Sequence, residues 1–333
     1  MAYAQFLKEY RAGIMENVHY GQISAVNITK EEFISVGQDY EPVYFRSAAK
    51  PFQAIPIFMT DFIEKYGITA TESALFLASQ RGEMYHQEAL LSLLGKLPVH
   101  ENDLICAASY PLNEEPKTQY IQQGFEKRKL FHNCAGKHLG LLAACLANGY
   151  DVEHYCQPDH PLQQMIKKYI AYLSEYDVDK IRTGMDGCGA PVFAIPLKNM
   201  AIAYLKLARP ELIEDQLIRQ AVIKLTSVMN QENRIIASEN FICTALLKDP
   251  NIVAKGGAQG VYCFALREEG VSFALKIMNG SESPWPNVIA SILEQIQYPN
   301  QETIERLKAL SPAVVRNDAG VEVGEIVSTI KIV

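Results

Sequence analysis

The sequence predicts an α+β fold in which a central antiparallel sheet is formed by strands from both ends of the chain, with a helical lobe between them. Three observations lead there. Strand-like alternation fills the first 46 residues, strand patterns return at 252–255, 260–266, 271–278 and in the closing Glu325–Val333 stretch, and helical periodicity occupies most of the middle. The expectation is one catalytic domain over 1–333, its helical lobe at about 85–250 packed on a sheet drawn from 1–46 and 251–333.

Taken in order, His19 to Ile28 carries Ile23, Val26 and Ile28 in a β-branched run, and the charged Thr29-Lys30-Glu31-Glu32 reads as a turn. Phe33 to Val36 then begins a second strand, which makes a hairpin, and Pro42 to Arg46 continues extended. From Ser47 to Tyr66 the period becomes helical, with Phe52, Ile55, Ile57, Phe58, Phe62 and Ile63 as the apolar set and Gly67 as a C-cap. Pro51 suits a first turn, whereas Pro56 predicts a kink or a break. Helical patterns recur at 71–80, 84–95, 137–149, 161–174 and 211–230, and Ser281 to Asn287 reads as a loop.

Composition narrows the function. With 333 residues and 48% hydrophobic content the chain can bury a large core, and 31 basic against 38 acidic side chains give a net charge of −7. That balance offers no electrostatic reason for nucleic acid or an anionic membrane as partner. The N-terminus lacks the apolar core of a signal peptide, and no apolar run is long enough to span a bilayer. Seven scattered cysteines, Cys106, Cys134, Cys145, Cys156, Cys188, Cys243 and Cys263, are an odd number without disulfide-scaffold spacing. They point to reduced thiols and a cytoplasmic location.

The sharpest local signal is Arg46-Ser47-Ala48-Ala49-Lys50, where a strand pattern gives way to a helix pattern. Residues three apart on a helix share a face, so Ser47 and Lys50 supply a hydroxyl and an amine on one side. A serine needs a base to become nucleophilic, and a lysine can be that base when burial or a nearby cation lowers its pKa. Taken alone, the same spacing describes an N-cap serine and a solvated lysine. Downstream, Ser79 and the run Lys255-Gly256-Gly257 complete the linear order of penicillin-binding proteins and β-lactamases. Gly256 and Gly257 on a strand would let the backbone approach a substrate, and Lys255 would bring a cation to hold a carboxylate or help deprotonate Ser79.

A third constellation joins Phe131-His132-Asn133-Cys134-Ala135-Gly136-Lys137-His138 to Met185-Asp186-Gly187-Cys188-Gly189-Ala190-Pro191. Thiolates and imidazoles suit zinc, although neither a Cys-x-x-Cys pair nor a His-Glu-x-x-His helix is present. Asp186, in a Gly-flanked turn, could meet a substrate ammonium or simply form an Asx-turn. His86, His154 and His160 have no partner at informative spacing and read as surface residues.

Together these blocks resemble the L-asparaginase II family. The resemblance is carried by Arg11, Gly13, Glu16, His19 and Gly21, by Arg46 to Gln53, by Ala78-Ser79, by His132 to His138, by Asp186 to Pro191, and by Lys255 to Val261. It implies a serine β-lactamase/glutaminase-like fold, hydrolysis of L-asparagine, and a homodimer. It also implies two Ser–Lys tandems, matching Ser47 with Lys50 and Ser79 with Lys255, and a Zn²⁺ held by residues matching Cys134, Lys137 and Cys188. Asp186 and the Gly256-Gly257 backbone would contact substrate, and Arg81 either grips the substrate carboxylate or points away into solvent. The sequence departs from the family at Gln80-Arg81, where a small residue or His and then Ser are usual, and at Asn133 and Ala135 around Cys134. A glutaminase, a penicillin-recognising hydrolase or a catalytically impaired zinc- or amino-acid-binding protein are the alternatives.

Overall fold

Two residues with left-handed backbone, Ala12 at φ 47° and Gly13 at φ 78°, close the first hairpin between β1 (Ala4–Arg11) and β2 (Ile14–Val26). A two-residue turn of that hand matches strand twist, which is why so charged a segment pairs as strands. In the computed structural model, which describes residues 3–37 and 41–332, β3 (Glu32–Val36) and β4 (Val43–Tyr44) follow. The hairpin β5 (Arg182–Met185) and β6 (Pro191–Ile195) comes next, then β7 (Ile252–Gly257), β8 (Val261–Leu266), β9 (Val271–Ile277), β10 (Val314–Arg316) and β11 (Glu322–Ser328). The large sheet runs β10-β11-β1-β2-β9-β8-β7 with β3 also on β2, and its pairings are antiparallel. The α+β architecture with N- and C-terminal strands side by side is therefore present: Leu7 on β1 faces Ser328 on β11.

Contacts divide the chain into two compact units. One holds residues 1–48, 195–205 and 240–333, and the other 49–194 and 206–239. In the sheet unit the core lies under β7, β8 and β9, where the Phe264 and Phe273 rings stack 4.7 Å apart and Trp285 meets Tyr262 edge-on. The second unit is mainly helical, with Lys50–Phe58, Met84–Lys96, Ala135–Asn148, Pro161–Ser174 and Gln216–Gln231 as its longer helices. Its helices thus begin at Lys50, earlier in the chain than the expected lobe.

Several boundaries differ from the sequence reading. The strand expected over His19 to Ile28 runs from Ile14 to Val26, because the Asn27 side chain accepts the backbone N–H groups of Thr29 and Glu31 and folds the chain away. The single helix expected to Tyr66 is two: Lys50–Phe58 continues through Pro56, which costs one bond in the last turn, and a short helix follows at Phe62–Lys65. The loop expected over 281–287 ends at Pro284, since Trp285 opens a helix with Pro286 in its first turn. The last strand stops at Ser328, beyond which Ile332 N–H donates to the Gln295 side chain. His86 and His160 are buried rather than on the surface, at 0% and 7% exposure. His86 Nε2 lies 3.1 Å from the Ile235 carbonyl, and His160 caps the helix Pro161–Ser174 through Leu162 N–H. A partner as distant as Ile235 leaves no mark in spacing. His154 is exposed.

Candidate active site

Lys50 opens the first helix of the helical unit and is 1% exposed. Its amine donates to Ser79 Oγ at 2.9 Å and to the Ala78 carbonyl. Burial lowers its pKa; the Cys134 sulfur pulls the other way, and Lys137 adds to the lowering. Ser79 is fixed in turn, its N–H bonding the Ile236 carbonyl at 2.8 Å. A proton on either Lys50 or Ser79 thus has a partner within one hydrogen bond.

Ser47 and Lys255 lie in the sheet unit. Ser47 is in the 3-10 turn Arg46–Ala49, and Arg46 adopts a left-handed φ of 50°, which is uncommon for a non-glycine residue. Ala48 N–H bonds the Phe45 carbonyl, and the Tyr204 hydroxyl donates to the Ala48 carbonyl at 2.7 Å, so the turn is held at both ends. Gly257 is what lets β7 lie against it: a Cβ there would sit 2.5 Å from the Phe45 oxygen and 3.2 Å from Ala48 N. Gly256 faces Tyr262 and Trp285 instead, and a Cβ there would sit 3.1 Å and 3.3 Å from their rings, closer than side chains ordinarily pack. Lys255 is 1% exposed and its amine donates to the Gly256 carbonyl at 2.9 Å.

The helical unit also brings together Cys134, Lys137 and Cys188, all 6% exposed or less. Lys137 Nζ donates to Cys188 Sγ at 2.9 Å. A hydrogen bond from Cys188 lowers the Cys134 pKa against the cost of burial, and Lys50 and Lys137 lower it further. Cys188 is correspondingly raised by sharing that bond with Cys134 and by burial. Burial opposes the charge on Lys137, but the two sulfurs outweigh it and raise its pKa. The nest therefore drives Cys134 toward its thiolate form and Cys188 and Lys137 toward their protonated forms. Loss of the thiol and ammonium protons would leave two sulfurs and one nitrogen converging, a donor set that fits a zinc-like ion with one position open.

Asp186 is half-buried in a turn in which its N–H bonds the Ala190 carbonyl at 2.9 Å and its Oδ1 accepts from Gly187 N–H at 2.7 Å; its charge also helps raise Lys137. Arg81 Nε donates to Asn113 Oδ1 at 2.5 Å, and the Arg81 carbonyl accepts from Leu112 and Asn113. That arginine is tied to the 111–113 loop.

The L-asparaginase II family profile matches residues 7–328. This chain belongs to the L-asparaginase II family. It is accordingly a hydrolase. No curated protein matches the sequence. Among solved structures, a protein of Bacteroides dorei DSM 17855 assigned, provisionally, as a β-lactamase aligns at 13% identity and a TM-score of 0.45, covering 82% of this chain and 92% of that one. A β-lactamase from Mycobacterium bovis aligns at 11% identity and a TM-score of 0.41, covering 83% and 94%. Similarity of that degree does not define a function.

One group in this L-asparaginase II family member escaped the sequence reading. Tyr204 supports the Ser47 turn from 156 residues away, and nothing in its helical pattern marks it. His138, which the sequence reading placed beside the cysteines, is one turn after Cys134 and 0% exposed; it pairs Nδ1 with the Tyr155 hydroxyl at 2.8 Å, while its Nε2 has no partner among the described residues.

Proposed function

We propose that the chain hydrolyses L-asparagine to L-aspartate and ammonia through a Ser–Lys acyl-enzyme. The observation that carries this reading is the buried Lys50 amine, lowered in pKa and 2.9 Å from Ser79 Oγ, in a chain of the L-asparaginase II family. A neutral amine is the form that can take a serine proton. Ser47, three residues before Lys50, attacks the side-chain amide carbon as its hydroxyl proton passes to Lys50. Collapse of the tetrahedral intermediate breaks the C–N bond, and the departing nitrogen takes a proton relayed through Ser79 and Lys255 and leaves as ammonia. Water then adds to the β-aspartyl ester, and Ser47 regains its proton as L-aspartate departs.

Asp186 receives the substrate ammonium, and the Gly256-Gly257 backbone lies along the substrate. Cys134, Lys137 and Cys188 would hold Zn²⁺, which supplies positive charge and fixes these loops rather than generating the nucleophile. We assign the protein to the cytoplasm, where seven free buried thiols are stable, and to a homodimer. Among the described residues no helix is long and apolar enough to cross a membrane.

Purified protein should release ammonia from L-asparagine at least about tenfold more efficiently than from L-glutamine, as one extra methylene permits, and leave β-lactams intact. Acid-quenched turnover should trap an acyl group on the peptide containing Ser47. Ammonia from neither amide would sink the reading, and an acyl group on Ser79 would exchange the two serine roles.

A further inference from the structure

Ser79 and the nest of Cys134, Lys137 and Cys188 all lie in the helical unit, and one side chain bridges them. Gln80 directly follows Ser79 and is 1% exposed. Its Nε2 donates to the Phe131 carbonyl at 3.1 Å and to the His132 carbonyl at 2.9 Å, and its Oε1 accepts from Gly82 N–H at 2.6 Å. Both amide hydrogens are therefore used. The orientation of the amide is also fixed, because the two carbonyls can only accept and the Gly82 N–H can only donate.

The carbonyls that Gln80 holds belong to the turn that sets Cys134. The His132 carbonyl also accepts Ala135 N–H at 2.8 Å, and His132 Nδ1 accepts Cys134 N–H at 3.1 Å. From this turn the helix Ala135–Asn148 starts, with Cys134 as its N-cap and Lys137 in its first turn. The same helix lies against the chain ahead of Ser79. A Cβ on Gly136 would sit 2.4 Å from the Leu75 oxygen, and one on Gly140 would sit 2.8 Å from the Phe76 ring. Ser79 is thus bracketed by contacts to the turn and helix that carry Cys134 and Lys137: packing fixes the segment before it, and Gln80 fixes the segment after it.

We propose that Gln80 is a positioning residue that couples the nest to Ser79, so that a zinc-like divalent cation held by Cys134, Lys137 and Cys188 orders the loop carrying Ser79 and Gly82. The inference rests on the reading of the nest as a metal site. Fixing the Cys134 sulfur fixes the turn before the helix, and the Phe131 and His132 carbonyls of that turn fix the Gln80 amide. Gln80 in turn holds the backbone next to Ser79, whose Oγ takes the hydrogen bond from Lys50. The coupling is reciprocal: loss of the Gln80 bonds weakens metal binding by the same factor by which metal binding no longer favours the ordered loop.

The test is hydrogen exchange, read by mass spectrometry, on the purified full chain stripped by a chelator and then reloaded with Zn²⁺ alone, no asparagine being present. In the wild type, zinc should slow exchange of the peptide spanning 75–83 by at least about tenfold, and that of the helix Pro161–Ser174 by less than about twofold. In Gln80→Met the slowing over 75–83 should shrink to less than about twofold, and chelator competition should show zinc bound about tenfold more weakly. Gln80→Glu, which keeps the volume and the Gly82 contact but loses both donors, should behave like Gln80→Met. Zinc bound by the wild type without slowing over 75–83, or slowing of equal size in both peptides, would overturn the proposal without recourse to a variant. Wild-type slowing and zinc affinity in either folded variant would do the same. A wild type that takes up no zinc would overturn it together with the metal reading, whereas the asparaginase reading is judged by ammonia release, so the failures are told apart.

Discussion

Cys134 and Cys263 are both buried thiols, one in the helical unit and one on strand β8, and they are driven in opposite directions. Around Cys263 burial acts alone and pushes the thiol up. Around Cys134 a hydrogen bond from Cys188 and the charges of Lys50 and Lys137 overcome burial and hold it low. Cys145 and Cys156, in the helical unit but beyond the nest, follow the β8 pattern at about 12. Burial is thus common to all these residues; what singles out Cys134 is the partners brought to it. The two site lysines divide in the same way. Both are 1% exposed, but Lys50 donates to a serine hydroxyl and feels the Cys134 sulfur, whereas Lys255 donates back to its own strand at Gly256.

The largest effect should fall on the reactive side of this contrast. Ser47→Ala and Lys50→Met should each lower kcat for asparagine by about 1,000-fold with the thermal transition largely retained. A variant within tenfold of wild type would remove that residue from the chemistry.

Metal content sharpens the comparison of the thiols. Unchelated protein should carry about one zinc per chain, and Cys134→Ser or Cys188→Ser should reduce it to near zero, while Cys263→Ser should leave it unchanged. Elemental analysis decides this without reference to activity. If all three variants kept their metal, the nest would be purely structural.

The smallest effect concerns a buried group with no counter-charge. His86 is 0% exposed and burial lowers its pKa from 6.5 to about 4, with Nδ1 lacking a partner among the described residues. Because the folded value is the depressed one, its contribution is fully present above about pH 6.5 and is lost as pH falls through about 4. That loss amounts to about 3 kcal/mol. His86→Gln, which can still donate to the Ile235 carbonyl, should flatten denaturant stability between pH 7 and pH 4.5. An unchanged pH slope would show that another group sets acid stability.

Much of the frame was legible in the residues themselves. The β-branched alternation at both ends marked strands that the fold pairs, and the order of short signature blocks marked the family that the profile match identifies over 7–328. The cysteines and Lys137 could be named as donors because thiol and amine chemistry belongs to the residue. Boundaries were less legible wherever a side chain redirected the backbone, as Asn27 does after β2 and Gln295 does after β11.

What the sequence determined by itself is the set of reactive groups and the local period that carries each one. Tertiary structure decided which groups touch. Lys50 meets Ser79 across 29 residues, Tyr204 reaches Ala48 across 156, and Lys137 finds Cys188 across 51. Periodicity reports only the face a residue occupies on its own element, whereas these contacts depend on how elements pack. That packing also fixes which thiol is held low and which lysine is stripped of water, because both depend on the charges and solvent that distant segments bring or exclude.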